Sequence, residues 1–380
     1  MPWIHKSLNT FEKLKILSQD SQYDLACACG TKESDHRHRS LNDKWIYPVV
    51  LPDQKITFLF KTLISNVCVN NCKYCPLRAD QDPKRCTLKA EEVVKAFFKY
   101  YNAKKVKGLF LSSGVIGTPD KTMDQINRIA SILRKKSFKG YIHLKIIPGA
   151  SEAAIKEAVS LANAVSINIE TAGVKNFNEL CTSKNYIKDI INPIKIINKL
   201  TEKGTRYSRV KQTTQFVVGA SHETDDEIVK YSWGLYKRLG LSRIYFSAYQ
   251  RGIGRPDLPG EVSLDQTNSD LLTREHRLYQ VDWLIRKYGF KENEICFEKD
   301  GNLSLLTDPK EMWAIRHPDF FPVNINKAHK FELLRIPGLG HVTVDRILRH
   351  RKNGMKIKSI DELGKHGKRL KKSEKYIIFR

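Results

Sequence analysis

The sequence predicts an α/β fold built on a parallel sheet, followed by a small all-helical module, and three observations carry that expectation. Short apolar, often β-branched runs alternate with amphipathic stretches through the middle of the chain. The series is regular and has no long crossover, which favours a barrel or partial barrel with functional loops at the C-terminal strand ends. Positive charge then gathers at the end: residues 326–380 hold 16 basic and 5 acidic residues, net +11 of a total +25 over 380 residues.

Taken in order, residues 1–57 (net +1) read as an extension with a short helix, Thr10–Leu17, and then irregular polar sequence. Strands are expected at Phe58–Ser65, Gly108–Ser112, Tyr141–Ile147, Ala164–Glu170, Thr213–Val218 and Arg243–Ala248. Helices are expected at Ala90–Tyr101, Met123–Lys135, Glu152–Leu161, through 174–203, and at Thr224–Leu239, where acidic residues suit a helix N-terminus. This places a barrel at 58–250, a capping or linker region with a helix from Thr273 to Tyr288 at 251–325, and a basic module at 326–380.

Composition narrows the setting. With 41% apolar and 28% charged residues the chain is no disordered polymer. It shows no apolar leader and no run long enough to span a bilayer, so a cytoplasmic protein without membrane contact is expected. Its eight cysteines then read as ligands or catalysts before disulfides. A surplus of +25 points to a polyanionic partner, nucleic acid first.

The strongest motif is Ser65-Asn-Val-Cys68-Val-Asn-Asn-Cys72-Lys-Tyr-Cys75-Pro, directly after the first barrel strand. Three thiolates at this spacing can converge on one metal centre. A [4Fe–4S] cluster normally takes four, so three leave one iron open to a small molecule. Zinc would need a fourth Cys or His from elsewhere, and no His lies between residues 39 and 142.

The Cys68-x3-Cys72-x2-Cys75 loop, with Tyr74 before its third cysteine, resembles the radical SAM superfamily. The resemblance implies a partial (β/α)6 TIM-like barrel in which S-adenosylmethionine (SAM) chelates the open iron. Reductive cleavage then yields methionine and a 5′-deoxyadenosyl radical, with an electron from a reductant such as flavodoxin or ferredoxin. Carried over to this chain, Ser112, Ser113 and Gly114 stand where the family often has Gly-Gly-Glu at the methionine amino group. Asn168 and Glu170 match a polar pair that holds the ribose, and Val217 and Gly219 lie in a partial match to a Gly-x-x-Gly-Glu turn beside adenine, with His222 in place of its second Gly.

In the basic module, two helical patterns flank Ile336-Pro337-Gly338-Leu339-Gly340, which resembles the helix-hairpin-helix motif of DNA-binding proteins. The resemblance implies phosphate held by backbone N–H groups at Gly338 and Gly340, with Leu334, Leu339 and Ile347 packing the hairpin. Arg346, Arg349, Arg351 and Lys352 lie on the second helix as further candidate contacts, followed by Lys356 and Lys358. Together the two motifs resemble a family of DNA modification or repair radical SAM proteins encoded beside a protein with a uracil-DNA-glycosylase-like region, which implies DNA and that protein as partners. An RNA-modifying enzyme, and a non-catalytic iron–sulfur DNA-binding or redox-sensing protein, are the alternatives.

Other residues have plainer readings. Cys27, Cys29, His36 and His38 offer a zinc-like ligand set at an unusual spacing. Cys86, Cys181 and Cys296 read as buried small hydrophobes, any of which is also a hydrogen donor to a substrate radical. His143 and Lys145, and Tyr249 and Arg251, face either the barrel mouth or packing, and Arg274, His276, Arg277 and Gln280 form one polar segment of an amphipathic helix.

Overall fold

The computed structural model describes residues 8–24, 44–51, 55–263, 266–364 and 367–380, so Cys27, Cys29, His36 and His38 lie outside the described residues. Two compact units are present, Met1–Glu223 with Gly234–His276, and Thr224–Trp233 with Arg277–Arg380.

The first unit is built on a seven-stranded sheet whose spatial order follows the chain: β1 (Ile46–Val50), β2 (Ile56–Leu63), β3 (Gly108–Ser112), β4 (Tyr141–Lys145), β5 (Ala164–Ser166), β6 (Lys211–Val218) and β7 (Arg243–Ala248). From β2 to β7 every pairing is parallel, and the sheet curls into a half-barrel, as expected. β1 is the exception. It comes from the extension, which was expected to be irregular after its helix, and adds antiparallel to β2 with Ile46 opposite Phe60. Proline in Ile46-Tyr-Pro-Val-Val masked the strand pattern, but an edge strand tolerates a missing N–H.

The helices are α1 (Thr10–Asp20), α2 (Ala90–Asn102), α3 (Pro119–Lys135), α4 (Glu152–Leu161), α5 (Gly173–Leu180), α6 (Asn192–Thr201), α7 (Asp225–Arg238), α8 (Pro259–Val262), α9 (Asn268–Lys287), α10 (Pro309–Arg316), α11 (Lys330–Arg335), α12 (His341–Lys352) and α13 (Lys368–Ser373). Local chemistry sets several starts. Asn9 and Glu12 form a capping box on α1, Thr118 caps α3 with Pro119 in its first turn, and Ser151 caps α4. The helix expected through 174–203 is divided. Cys181 is extended (φ −157°, ψ 130°), and helical turns resume only after Asn185, first as a π-helix, Tyr186–Ile191, and then as α6. The polar stretch Thr182-Ser-Lys-Asn has no apolar stripe to hold it against the sheet.

Alternate residues on each strand share a face, and the barrel face of this sheet is unusually polar. Lys61 is 1% exposed, His143 Nε2 lies 2.9 Å from Ser166 Oγ, and Gln215 Nε2 donates to the Tyr23 carbonyl at 2.9 Å. Asp24, just beyond α1, pairs with Lys145. Burial opposes the charge on Asp24, but the Lys145 ammonium outweighs it and holds the carboxyl below the usual carboxylate range. With fewer compensating partners, Lys61 is pulled down by burial to about 7 and His143 to about 3.

In the second unit, α11 and α12 form a hairpin packed by buried Leu333, Leu334, Ile336, Leu339, Val344 and Ile347. Strands Val323–Asn324 (β8) and Ile377–Ile378 (β9) pair in parallel, joining the segments before and after the hairpin. Trp313 stacks on His317 with ring centroids 4.3 Å apart, and the Arg335 guanidinium sits 4.9 Å from the Trp313 ring.

Asp24 yields a prediction with a defined sign. Its pKa is depressed in the folded state, so its contribution is present above the unfolded carboxyl's pKa and fades as pH falls through the folded value. Asp24→Asn leaves Lys145 without its partner and should cost about 3 kcal/mol near neutral pH. In urea melts, the difference from the parent protein should shrink on acidification below a pH of about 4.

Candidate functional site

The C-terminal ends of the strands surround a cavity of about 180 Å³ in the first unit. Cys68, Cys72, Tyr74, Cys75, Ser112, Ser113, Gly114, Asn168, Glu170 and Val217 all line it, so nearly every residue singled out for cluster and cofactor is gathered at one place. Gly219 is outside that lining, and its N–H donates to Glu223 Oε1 at 2.9 Å.

The cysteine loop has little regular structure of its own and is held from three sides. On the β3 side, Gly114 N donates to Ser65 O at 2.7 Å and Val69 N to Val115 O at 3.0 Å. A Cβ on Gly114 would lie 2.4 Å from Val67 O, so only glycine permits that approach. On the side of the break after α5, Lys73 N donates to Leu180 O at 2.8 Å, and Asn71 Nδ2 to Thr182 Oγ1 at 2.7 Å. Behind the loop, Arg85 donates to the carbonyls of Asn66, Leu77, Arg78 and Gln81, and Arg78 donates to the carbonyls of Cys75 (3.1 Å) and Ile253 (2.9 Å).

Burial and the neighbouring sulfurs set the electrostatics of the loop. The Cys181 contact and burial push the Cys72 thiol well above its ordinary range, and burial and Cys72 push Cys75 up to about 12. Lys184, half-buried in the cavity wall, faces Cys72, Cys181 and Glu170; burial opposes its charge, but these groups outweigh it and raise its pKa. Glu170 is 5% exposed and sits at φ +66°, a left-handed conformation that strains a non-glycine backbone. Its N–H donates to Gln215 O at 3.0 Å, and its carbonyl accepts from Val217 N at 2.7 Å. Those bonds anchor it beside β6, with its carboxyl in the same cavity wall as Tyr74. Burial raises the pKa of that carboxyl.

Other candidates divide clearly. Lys145 and Tyr249 line the cavity, whereas His143 and Arg251 do not. Arg277 donates to the carbonyls of Ser304 (3.0 Å) and Leu305 (3.1 Å), a structural role. Cys86 and Cys296 lie away from the cavity, and Cys181 sits behind Cys72. Tyr23, Asp24 and Lys184 also line the cavity but were not singled out from sequence. The segment that carries Lys184 was expected to continue a helix, and nothing in the sequence reading set it apart.

The hairpin of the second unit turns at Gly338 (φ +89°), and Gly340 is the N-cap of α12 with no side-chain cap on its first turn. Lys310, 9% exposed, donates to the Leu339 carbonyl at 2.5 Å. The α12 cations are not equivalent. Arg346 bonds the Leu363 carbonyl, and Arg351 bonds those of Ala328 (2.5 Å) and Lys327 (3.1 Å), whereas Arg349, Lys352 and Lys356 are exposed.

Residues 62–231 match the Radical SAM superfamily, and residues 320–373 match the helix-hairpin-helix motif. The middle of the chain is thus similar to the radical SAM superfamily. Enzymes of that superfamily use a [4Fe–4S] cluster and SAM. No curated protein matches the sequence. Among solved structures, the [FeFe]-hydrogenase maturase HydG from Carboxydothermus hydrogenoformans is similar at 17% identity and TM-score 0.44, over 58% of this chain and 50% of that one. Methylornithine synthase (PylB) is similar at 15% identity and TM-score 0.45, over 58% and 61%. Streptococcus suis SuiB is similar at 12% identity and TM-score 0.44, over 61% and 48%. The match thus spans about half to three-fifths of those chains.

The residues lining the cavity fit the two groups. Three thiols share one cavity wall, and the buried Ser113 hydroxyl lining the same cavity has no hydrogen-bond partner, leaving a polar atom for a ligand. Among the described residues no three His, Cys, Asp or Glu side chains are gathered for a single metal ion. A cluster distributes its thiolates over separate irons and asks for a wider spacing.

Arg85 is the test of how the loop is held. Arg85→Met removes donors from four carbonyls and should lower stability by about 2–4 kcal/mol in urea unfolding, with early proteolytic cleavage between residues 66 and 86.

Proposed function

We propose that this chain is a radical SAM enzyme that modifies or repairs DNA, acting on a base or deoxyribose brought to the half-barrel cavity. The observation that carries the reading is the presence, in one chain, of the cysteine-lined cavity and a hairpin whose α12 N-terminus is capped by glycine alone. In this reading Cys68, Cys72 and Cys75 hold the cluster. Ser112, Ser113 and Gly114 meet the amino-acid end of SAM, Asn168 and Glu170 take the ribose hydroxyls, and Tyr74, Val217 and Gly219 border the rest of the ligand. When bound and reduced, the cluster supplies the electron that cleaves SAM to methionine and a 5′-deoxyadenosyl radical. A flavodoxin or ferredoxin is the matching electron donor, and a reducing cytoplasmic setting suits the thiolates.

The chain's own part is orientation and charge. Asn168 donates to Glu170 at 3.4 Å and so aims its carboxyl, with Tyr74 in the same wall. Lys184 and Lys145 supply cations in the same wall for anionic groups of cofactor or substrate. A target base inside a duplex must be extruded or single-stranded to enter a cavity of this kind.

At the hairpin, the uncapped N–H groups near Gly338 and Gly340 receive a phosphate, and the exposed Arg349, Lys352 and Lys356 extend the contact. Arg346 and Arg351, engaged with backbone carbonyls, serve the hairpin's shape first. A uracil-DNA-glycosylase-like protein is a fitting partner for such an enzyme.

Two measurements test the proposal. Reconstituted, dithionite-reduced protein should convert SAM to 5′-deoxyadenosine and methionine, faster with DNA present. Cys68→Ala, Cys72→Ala and Cys75→Ala should each lose the cluster's visible absorbance and the activity together. A stimulation seen only with RNA moves the substrate to RNA; an intact, reducible cluster that never cleaves SAM favours the non-catalytic reading. Duplex DNA binding should weaken with salt at a log–log slope of roughly −4, for about four phosphates. The pair Arg349→Glu and Lys352→Glu should reduce affinity at least about tenfold and flatten the slope by about 2.

A further inference from the structure

Cys72 has a second thiol against it. Its Sγ lies 3.6 Å from Cys181 Sγ, the van der Waals contact of two sulfurs. The contact is held from the backbone on both sides. Lys73 N, next to Cys72, donates to Leu180 O, next to Cys181, at 2.8 Å. On the other side of the pair, Asn71 N donates to Ser183 Oγ at 3.2 Å and Ser183 N to Asn71 Oδ1 at 3.1 Å. Two chain segments 109 residues apart therefore run side by side at this point. The two sulfurs also differ in access. Cys72 lines the cavity, whereas Cys181 is 1% exposed and stands behind it.

We propose that Cys181 is a resolving thiol for Cys72, an oxidation site that protects the cysteine loop of the cluster-free protein against small peroxides. The Cys72 sulfur, passing its proton to the Cys181 sulfur that accepts its hydrogen bond, attacks hydrogen peroxide entering the cavity, and the departing hydroxide takes that proton from Cys181. The O–O bond breaks, one oxygen stays as a sulfenic acid, and the other leaves as water. Cys181 then attacks the Cys72 sulfur, forming the S–S bond and releasing the sulfenic oxygen as a second water. Two thiols have lost two electrons and two protons to one peroxide. Without a neighbouring thiol the sulfenic acid is open to a second peroxide and becomes a sulfinic acid, which thiol reductants do not reverse. The disulfide is reversed by thiol exchange and restores Cys72. The chemistry itself needs only the sulfur pair; its consequence for cluster loading rests on Cys72 being a cluster ligand.

The full-length, cluster-free protein is exposed to hydrogen peroxide, and peptides are mapped by mass spectrometry before and after treatment with dithiothreitol. A Cys72–Cys181 cross-link, two hydrogens lighter than the paired peptides and cleaved by dithiothreitol, is expected as the main product at Cys72. Cys181→Ser and Cys181→Ala should instead carry Cys72 sulfinic acid. After reduction and reconstitution with iron and sulfide, the oxidised parent protein should regain its iron, with roughly fivefold less recovered in either variant. Sulfinic acid at Cys72 of the parent protein, or equal recovery in parent and variants, overturns the proposal. The peptide map is read before any cluster is built, so a protein that forms the cross-link but takes up no iron refutes the cluster assignment and leaves the thiol pair standing.

Discussion

The site depends on holding an irregular loop with three thiols still at the mouth of a parallel half-barrel. A loop of this kind cannot satisfy its own backbone, and each buried carbonyl or N–H left without a partner is costly. The solution is external. The β3 end supplies backbone partners on one flank, the break after α5 supplies them on the other, and Arg78 and Arg85 close the back. Gly114 is the pivot of the first contact, because any side chain there drives the two backbones apart. Thiol placement therefore depends on residues as distant in sequence as 65, 114 and 180.

Around that loop the cavity is a balance of buried charges. Asp24, Lys145, Glu170 and Lys184 all line it; burial opposes the charge on Asp24, Glu170 and Lys184, and opposite charges nearby offset that cost for Asp24 and Lys184. Lys61 and His143, deeper on the barrel face, show the cost of lacking enough opposite charge, since burial lowers both pKa values. Strain is present as well: Glu170 keeps a left-handed backbone because paired bonds to β6 hold it there. Such an arrangement makes sense for a wall whose polar groups must face a ligand and cannot relax onto one another.

The half-barrel and the helical hairpin were legible because their signals are local and periodic. Strands β3 and β7 and helix α4 begin and end where hydrophobic patterning places them. β1 was not legible, because its proline breaks the strand pattern. Nor was the break after Leu180, where polar residues sat inside a stretch with helical spacing on either side. At the hairpin, charge counting could not separate Arg346 and Arg351, which bond carbonyls, from Arg349 and Lys352, which are exposed.

By itself the sequence determined the chemistry on offer: three cysteines at C-x3-C-x2-C after a strand, and a basic module around Pro-Gly-Leu-Gly. Such motifs survive in one dimension because a short loop brings its own ligands together whatever surrounds it. The tertiary structure decided what those groups face. It brought Asp24 to Lys145, Lys184 to Glu170 and Cys181 to Cys72, pairs separated by 14 to 121 residues. The physical reason is that burial and opposing charge act through space, and neither leaves a period or a spacing in the chain.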